Sequence, residues 1–467
     1  MIRKGGSIHN GAQETSHYLG LRKDAKVVLR RTCEAPYNMA LYLRSPLSCN
    51  ELTMYQDRSN NIGVPSMKVT FLAIACAAFA ASAVEDTILL PAPKGKYAID
   101  IKVVELIDHG RKDPFDPNGG PRKLMVSVIF PTIPTEECIY PEAFPYAPDR
   151  TAELLGPVLE SYGWPDATPY IKRLRLPVCP TKRNPWTSPW QRKESFPVVL
   201  FSHGLGGVRL ASSSQAQAVA SNGFVVITID HPYDAAVVEY TDGSIVLARN
   251  FTTNEELDQD VQVRAQDASF ILDDLERADS VLRAASRMCG PDEKLKVGMF
   301  GHSLGGATSM RAVYYDERIA GAIDLDGVAY GFNTTGPSGM PVFSLPKIQR
   351  PFMLFNEPAF LTEQPFAQEF QTLYDSFTGW KRRLSLDNSG HLTFTDLPLL
   401  VDSFALRSTL PAAFETSIGT IEGLVARDTV AAYVSAFMAK YLKGEDSTLL
   451  KGPNDAYPEV KFVSMSG

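Results

Sequence analysis

The sequence predicts an α/β fold: a mainly parallel central sheet with helices on both faces. Three observations predict it. Short runs of residues are apolar on both sides, helical stretches separate them, and one serine sits where such a run gives way to a helix. Residues 198–201, 225–229, 295–300, 322–325 and 352–355 are these runs, apolar apart from Thr228, Lys296 and Asp324. A strand covered by helices on both sides has no wet face with which to alternate, so it reads as an unbroken hydrophobic segment.

The elements follow in order. Residues 97–107 and 123–130 read as early strands, joined by turn material containing Asp113-Pro114, Asp116-Pro117 and Gly119-Gly120. Between 131 and 197 prolines, aromatics and polar residues dominate, with a helix near 151–161. This stretch is too irregular for a separate domain and is expected to cover the main body or the substrate entrance. A helix over 214–221 follows the strand at 198–201. The segment 257–285 reads as one long helix with Phe270, Leu272, Leu275 and Leu282 on its packed side. Phe366, Phe370, Leu373 and Phe377 form an apolar stripe best explained by core packing. A last helix over 428–442 closes the fold.

The chain of 467 residues is 44% hydrophobic, enough to bury a large core. Its formal charge is −7 and basic residues are scattered, so successive phosphates of a nucleic acid would go unneutralised. Met67-Lys68, an apolar run to Ala81 and the small residues Ala81-Ser82-Ala83 have the layout of a secretory signal peptide. The expected organisation is therefore a non-native or disordered extension over 1–66, a leader over 67–83, and one domain over 84–467 with the insertion at 131–197. The product is secreted if translation starts at Met67. The alternative is a buried Ala-rich helix behind a genuine extension. Beyond residue 83 the cysteines are Cys138, Cys179 and Cys289, and Cys138 with Cys179 is the favoured pair because it clips the irregular insertion. Asn250-Phe251-Thr252 and Asn333-Thr334-Thr335 are glycosylation sequons, meaningful only in a secreted chain.

Gly301-His302-Ser303-Leu304-Gly305 lies between the run 295–300 and a small-residue helix start. Small neighbours permit the sharp strand-to-helix turn that lifts a serine hydroxyl clear of the backbone, the nucleophile elbow of an α/β-hydrolase. Such a serine needs a base and an acid downstream. His391, in the polar loop Leu386-Asp387-Asn388-Ser389-Gly390, is the sole histidine after Ser303. Asp326 ends the strand at 322–325 and sits on the active-site rim. Asp324 shares its parity one pleat further in and remains the alternative acid. Asp387 and Asp396 are nearer His391 in sequence but follow no expected strand. The Leu304 N–H, next after the nucleophile, and the Leu205 N–H, in Ser202-His203-Gly204-Leu205-Gly206-Gly207, are the expected oxyanion donors. His203 and His302 are expected to orient these loops. No cofactor and no metal is expected. Asp230-His231-Pro232-Tyr233-Asp234 has metal-like residue types but lacks further ligands at informative spacing, and no Lys-Ser/Thr follows the glycines as a phosphate loop requires.

Phe201-Ser202-His203-Gly204-Leu205-Gly206, the elbow through Ala307, Asp324-Leu325-Asp326-Gly327 and Gly390-His391 resemble the platelet-activating-factor acetylhydrolase family of the plasma or lipoprotein-associated type. The likeness spans residues 89–442 and is greatest to fungal members. It implies a Ser303, Asp326, His391 triad with Leu205 and Leu304 as oxyanion donors. It also implies calcium-independent hydrolysis of the short sn-2 acyl ester of glycerophospholipids, releasing acetate and a lysophospholipid; some relatives act on oxidised phospholipids. The partners implied are a phospholipid or other short-acyl ester and, in passing, a lipid surface, with no required protein partner. Asp230-His231-Pro232-Tyr233 departs from the usual glutamate-histidine version, the loop 333–349 is longer, and lipoprotein-docking helices are not evident. Substrate choice therefore transfers less securely than chemistry. A secreted general carboxylesterase or cutinase-like polyesterase, an inactive hydrolase fold used for binding, and a serine peptidase remain the competing classes.

Overall fold

The computed structural model describes residues 86–132, 142–180, 196–277, 279–286, 296–327, 347–362 and 366–466. The chain divides into two compact units, Met1–Ala83 and Val84–Gly467. The first unit, with the expected leader, lies outside the described residues, as do Cys138, Cys289 and the sequon at Asn333. Cys179 is disulfide-bonded. No described helix is long and apolar enough to cross a membrane.

The second unit is built on a nine-stranded sheet. In chain order its strands are β1 (Ala98–Lys112), β2 (Pro121–Thr132), β3 (Val198–Ser202), β4 (Val225–Asp230), β5 (Val297–His302), β6 (Ile319–Leu325), β7 (Phe352–Asn356), β8 (Lys381–Leu386) and β9 (Val460–Ser466). Across the sheet the order is β9-β8-β7-β6-β5-β3-β4-β2-β1. The six central strands from β8 to β4 run parallel; β2 and β9 run antiparallel to them, and β1 pairs antiparallel with β2. This is the α/β-hydrolase arrangement expected from the apolar runs. Alternate residues of each run serve opposite layers. Val199, Phe201, Phe300, Ile323 and Met353 pack with Val430, Tyr433 and Phe437 of one helix layer. Val198, Leu200, Met299, Ala322 and Leu354 pack with Leu272, Leu275, Ala307 and Met310 of the other.

The helices that matter for the site are α1 (Asp149–Tyr162), α2 (Ala167–Arg173), α3 (Ser213–Ala220), α4 (Asn254–Glu276), α5 (Leu304–Tyr315), α6 (Leu397–Ser403) and α7 (Gly423–Met438). The helix expected over 257–285 is two. A capping box at Thr253 and Glu256 starts α4 earlier, and an extended Arg277 ends it before a second helix, Val281–Ser286. Ser280 seeds that second helix: its Oγ accepts the Arg283 N–H at 3.1 Å and donates to Asp274 at 2.7 Å.

Three elements escape the apolar-run pattern. The strand β8 begins Lys381-Arg382-Arg383, yet Arg382 and Arg383 are buried, donating to the carbonyls of Leu450 and Phe360. The edge strand β9 follows α7, so that helix does not end the fold. Within 131–197 the described residues form α1, α2 and two strands, Glu142–Pro145 and Leu174–Val178, which join Ile88–Leu89 in a small separate sheet. The stripe at 366–377 is partly core: Leu373 and Phe377 are fully buried, with Phe377 stacked on Phe352 at 3.9 Å.

Beneath the carboxyl ends of β3 and β4 lies a buried charge network. Arg122 of β2 is fully buried and donates to Asp113 at 2.9 Å and to both Asp267 oxygens at 3.1 and 2.7 Å. Asp260, Arg264 and Asp267 occupy one face of α4, and Arg264 is paired with both Asp260 and Asp234. Removing one member of such a set strands an uncompensated charge. Arg122→Met should therefore lower unfolding free energy by about 3–5 kcal/mol, read as a shift in the urea midpoint. A loss below about 1 kcal/mol would show that the network carries little stability.

Candidate active site

Ser303 is placed by backbone geometry before any side chain acts. It stands between β5 and α5 with φ 55° and ψ −123°, a conformation sterically costly for a residue with a Cβ. Its N–H donates to the Leu325 carbonyl at 3.0 Å, and its carbonyl accepts the Gly306 N–H at 2.8 Å. The two flanking glycines make room for the bend. A Cβ on Gly301 would strike the Gly305 carbonyl, and one on Gly305 would strike the carbonyls of Ser202 and His203. Strand, bend and helix thus interlock at the end of β3.

Asp326 follows β6, also at positive φ (54°), and is fully buried. One carboxylate oxygen accepts the Glu357 N–H at 2.7 Å, and the other faces His391 Nδ1 at 2.7 Å. His391 Nε2 in turn lies 3.0 Å from Ser303 Oγ. The three groups proposed from sequence therefore form one continuous hydrogen-bonded chain. Burial pulls the His391 pKa down, but the bond to Asp326, its charge and that of Glu357 outweigh burial and leave it above 6.5. The imidazole loop is itself held. His302 Nε2 is 2.9 Å from the His391 carbonyl, and burial with the neighbouring His391 charge pushes His302 down to about 3. His302 is thus neutral at ordinary pH and donates to that carbonyl.

The remaining acidic residues have other work. Asp324 is fully buried beneath the bend, accepts the Gly327 N–H at 2.7 Å, and is pushed well above the usual carboxylate range by burial. Asp387 does follow a strand, β8, contrary to expectation, but pairs with Lys461 at 3.3 Å. Asp396 accepts the N–H groups of Ser214 and Gln215 at 2.7 and 3.0 Å at the start of α3 and the Tyr146 hydroxyl at 3.1 Å; burial raises it to about 7.

The segment 230–234 is bound into the charge network. Asp230 pairs with Arg209, Asp234 pairs with Arg264 and accepts the Gly206 N–H at 3.3 Å, and His231 bridges Ser202 and Asp267. Among the described residues, Asp326, Glu357 and His391 form one set whose ligand atoms fall within 4.8 Å of one another. Two of these already share the hydrogen bond that orients the imidazole.

The loop after β3 is a tight turn over Gly204–Gly207, closed by the Gly207 N–H to the Gly204 carbonyl at 2.9 Å. Gly206 takes the positive φ of 64° that the third turn position demands. The turn bond leaves the Leu205 N–H without a part in it. A Cβ on Gly204 would stand 3.1 Å from the Ser303 Cβ, so the turn runs directly beside the nucleophile. The Leu304 N–H is the first of α5, where no intrahelical acceptor exists.

Beside the turn opens a cavity of about 120 Å³. Its lining is chiefly apolar and includes Leu155, Leu159, Ile171, Leu205, His302 and Leu392. The insertion expected to cover the main body or the entrance supplies part of this wall, but sequence patterning did not pick out its residues, because α1 and α2 meet α6 only in the folded chain. Phe360, just after β7, adds a ring 6.5 Å from that of His391.

Comparison with known proteins gives the family. Residues 172–448 match the family described as platelet-activating factor acetylhydrolase, isoform II. A probable 1-alkyl-2-acetylglycerophosphocholine esterase from Arthroderma benhamiae is 31% identical over 395 residues, covering 82% of this chain and 96% of its own. A platelet-activating factor acetylhydrolase from Cavia porcellus is 28% identical over 279 residues, covering 55% of this chain and 60% of its own. Among solved structures, a ferulic acid esterase from Streptomyces cinnamoneus superposes with a TM-score of 0.66 at 28% identity, covering 81% of this chain and 99% of that one. With that family match and a near full-length esterase relative, the chain belongs to the platelet-activating factor acetylhydrolase, isoform II, family and is a serine-type ester hydrolase of the α/β-hydrolase fold.

Proposed function

We propose that the protein hydrolyses the short-chain sn-2 acyl ester of glycerophospholipids, the 1-alkyl-2-acetylglycerophosphocholine esterase reaction, as a fungal relative of the plasma-type enzymes. The single observation that carries the mechanism is the unbroken chain from Asp326 through His391 to Ser303. His391 Nε2 takes the hydroxyl proton as Ser303 Oγ attacks the ester carbonyl carbon. Asp326, buried and ionised against the imidazole, holds Nδ1 protonated so that Nε2 is free to accept. The N–H groups of Leu205 and Leu304 receive the charge that develops on the carbonyl oxygen. Donors of this kind each contribute on the order of 3 kcal/mol to the transition state. His391 then returns the proton to the leaving glycerol oxygen, and a water activated by the same imidazole releases the acyl group from Ser303.

A second substrate class is favoured by the cavity beside the oxyanion turn. At about 120 Å³ it exceeds what an acetyl methyl fills and approaches the roughly 150 Å³ of a dry cavity able to hold benzene. The structural likeness to a ferulic acid esterase points the same way, towards a general carboxylesterase using the same residues.

Initial rates on acetyl, butyryl and long-acyl sn-2 phosphatidylcholines, beside nitrophenyl acetate, separate the two. Hydrolysis of the acetyl phospholipid at least as efficient as that of nitrophenyl acetate supports the phospholipid reaction; turnover confined to nitrophenyl acetate supports the general esterase. Ser303→Ala should cut kcat by about six orders of magnitude while leaving the melting temperature in place. Asp326→Asn should cost about four orders, whereas Asp324→Asn should lower stability first; the reverse ranking would move the acid. The acidic limb of kcat/KM should lie above pH 6.5, because Ser303 needs a neutral imidazole and Asp326 holds that group protonated to higher pH. In residual Asp326→Asn activity that limb should move to lower pH. A limb that stays in place would remove Asp326 from the imidazole.

A further inference from the structure

Behind the oxyanion turn lies a second serine–histidine–aspartate chain. Ser202 Oγ stands 3.0 Å from His231 Nε2, and His231 Nδ1 stands 2.9 Å from Asp267 Oδ2, almost the spacing of the outer chain at Ser303. All three residues are fully buried, so no ester reaches them. The proton order within the chain is fixed from both ends. Asp267 is held well below the usual carboxylate range: burial opposes this, but the charges and bonds of Arg122 and His231 prevail. Its oxygens accept from Arg111, Arg122 and His231. His231 therefore carries its proton on Nδ1, and burial keeps the ring neutral, down to about 4. Its bare Nε2 accepts the Ser202 hydroxyl proton.

The chain continues towards the active site through the backbone. The His231 N–H donates to His203 Nε2 at 3.4 Å, which leaves the His203 proton on Nδ1. From there it donates to the Gly204 carbonyl at 2.7 Å. That carbonyl also accepts the Gly207 N–H at 2.9 Å, so it is gripped twice. Arg264 grips the preceding carbonyl, that of His203, at 2.6 Å and reaches Ser202 Oγ at 3.4 Å. The Gly204 carbonyl and the Leu205 N–H belong to one peptide plane. In a planar trans peptide they point in opposite directions, so fixing the carbonyl fixes the N–H.

We propose that Ser202, His231 and Asp267 form a positioning chain that, through His203, pins the Gly204 carbonyl and so aims the Leu205 N–H at the ester oxygen above Ser303. This inference rests on the esterase reading and adds to it the device that preorganises one oxyanion donor. It also gives the segment at 230–234 its purpose: His231 orients the turn, and Asp234 holds the Gly206 N–H and Arg264 beside it. Hydrogen-bond donors fixed in advance act on the transition state more than on the bound substrate.

His203→Phe removes the link, His203→Asn keeps a donor near the Nδ1 position, and Ser202→Ala breaks the chain one step deeper. Each is compared with wild type and Ser303→Ala on nitrophenyl acetate, by thermal melting, and by affinity for a trifluoromethyl ketone, whose adduct with serine bears an oxyanion. The expected result is a kcat loss of about 10- to 100-fold for His203→Phe with KM within twofold, a parallel loss of ketone affinity, and substantial recovery in His203→Asn. Ser202→Ala should show a smaller loss of the same pattern, and serves alone if His203→Phe does not fold. Variants that melt lower yet keep wild-type kcat per folded enzyme overturn the inference and leave the esterase reading standing. A wild-type protein without ester turnover, no different from Ser303→Ala, overturns both.

Discussion

The 2.7 Å contact between Asp326 and His391 Nδ1 sets the terms for everything around it. It decides the tautomer, and the tautomer decides whether Nε2 can accept a proton from Ser303. The contact demands that a residue at the end of β6 and another from the loop after β8 meet above the bend that follows β5. Parallel strands in register bring those ends to one edge of the sheet. The positive φ at both Ser303 and Asp326 shows where the chain bends to complete the meeting. Interlocked glycines, the buried Asp324 and the neutral His302 act to keep that edge rigid.

Under the same edge lies a layer of buried charge. Arg122 is matched by Asp113 and Asp267, Arg209 by Asp230 at the end of β4, and Arg264 by Asp234 and by Asp260 of α4. Buried ion pairs of this kind are weak contributors to stability relative to apolar packing, but they impose direction. Here the direction is imposed on the backbone of the turn at 204–207. The outer and inner serine–histidine–aspartate chains share residue types and spacing and differ in exposure.

The cavity beside the turn belongs to the insertion as much as to the main fold. Leu155 and Leu159 come from α1, Ile171 from α2, and Leu392 from the segment that carries His391. The Ser303 edge is thus carried by strands of the main sheet, while much of the cavity wall is built from the least regular stretch of the chain.

By itself, the sequence determined the fold class, because doubly covered strands must be apolar on both faces and five of them announce themselves. It also nominated Ser303 and His391, through a serine between glycines at a strand end and one downstream histidine, and preferred Asp326 while leaving Asp324 open as the acid. Local pattern failed where tertiary partners override it. The strand β8 hides behind three cations because Arg382 and Arg383 find carbonyl acceptors inside the fold. Residues 230–234 carry metal-like residue types without a ligand set, and a string of letters does not show that Arg209 and Arg264 claim both carboxylates. The break at Arg277, the cavity wall and the inner chain through His231 were likewise decided by the tertiary structure alone. Each depends on side chains far apart in sequence, and only packing sets which donor meets which acceptor.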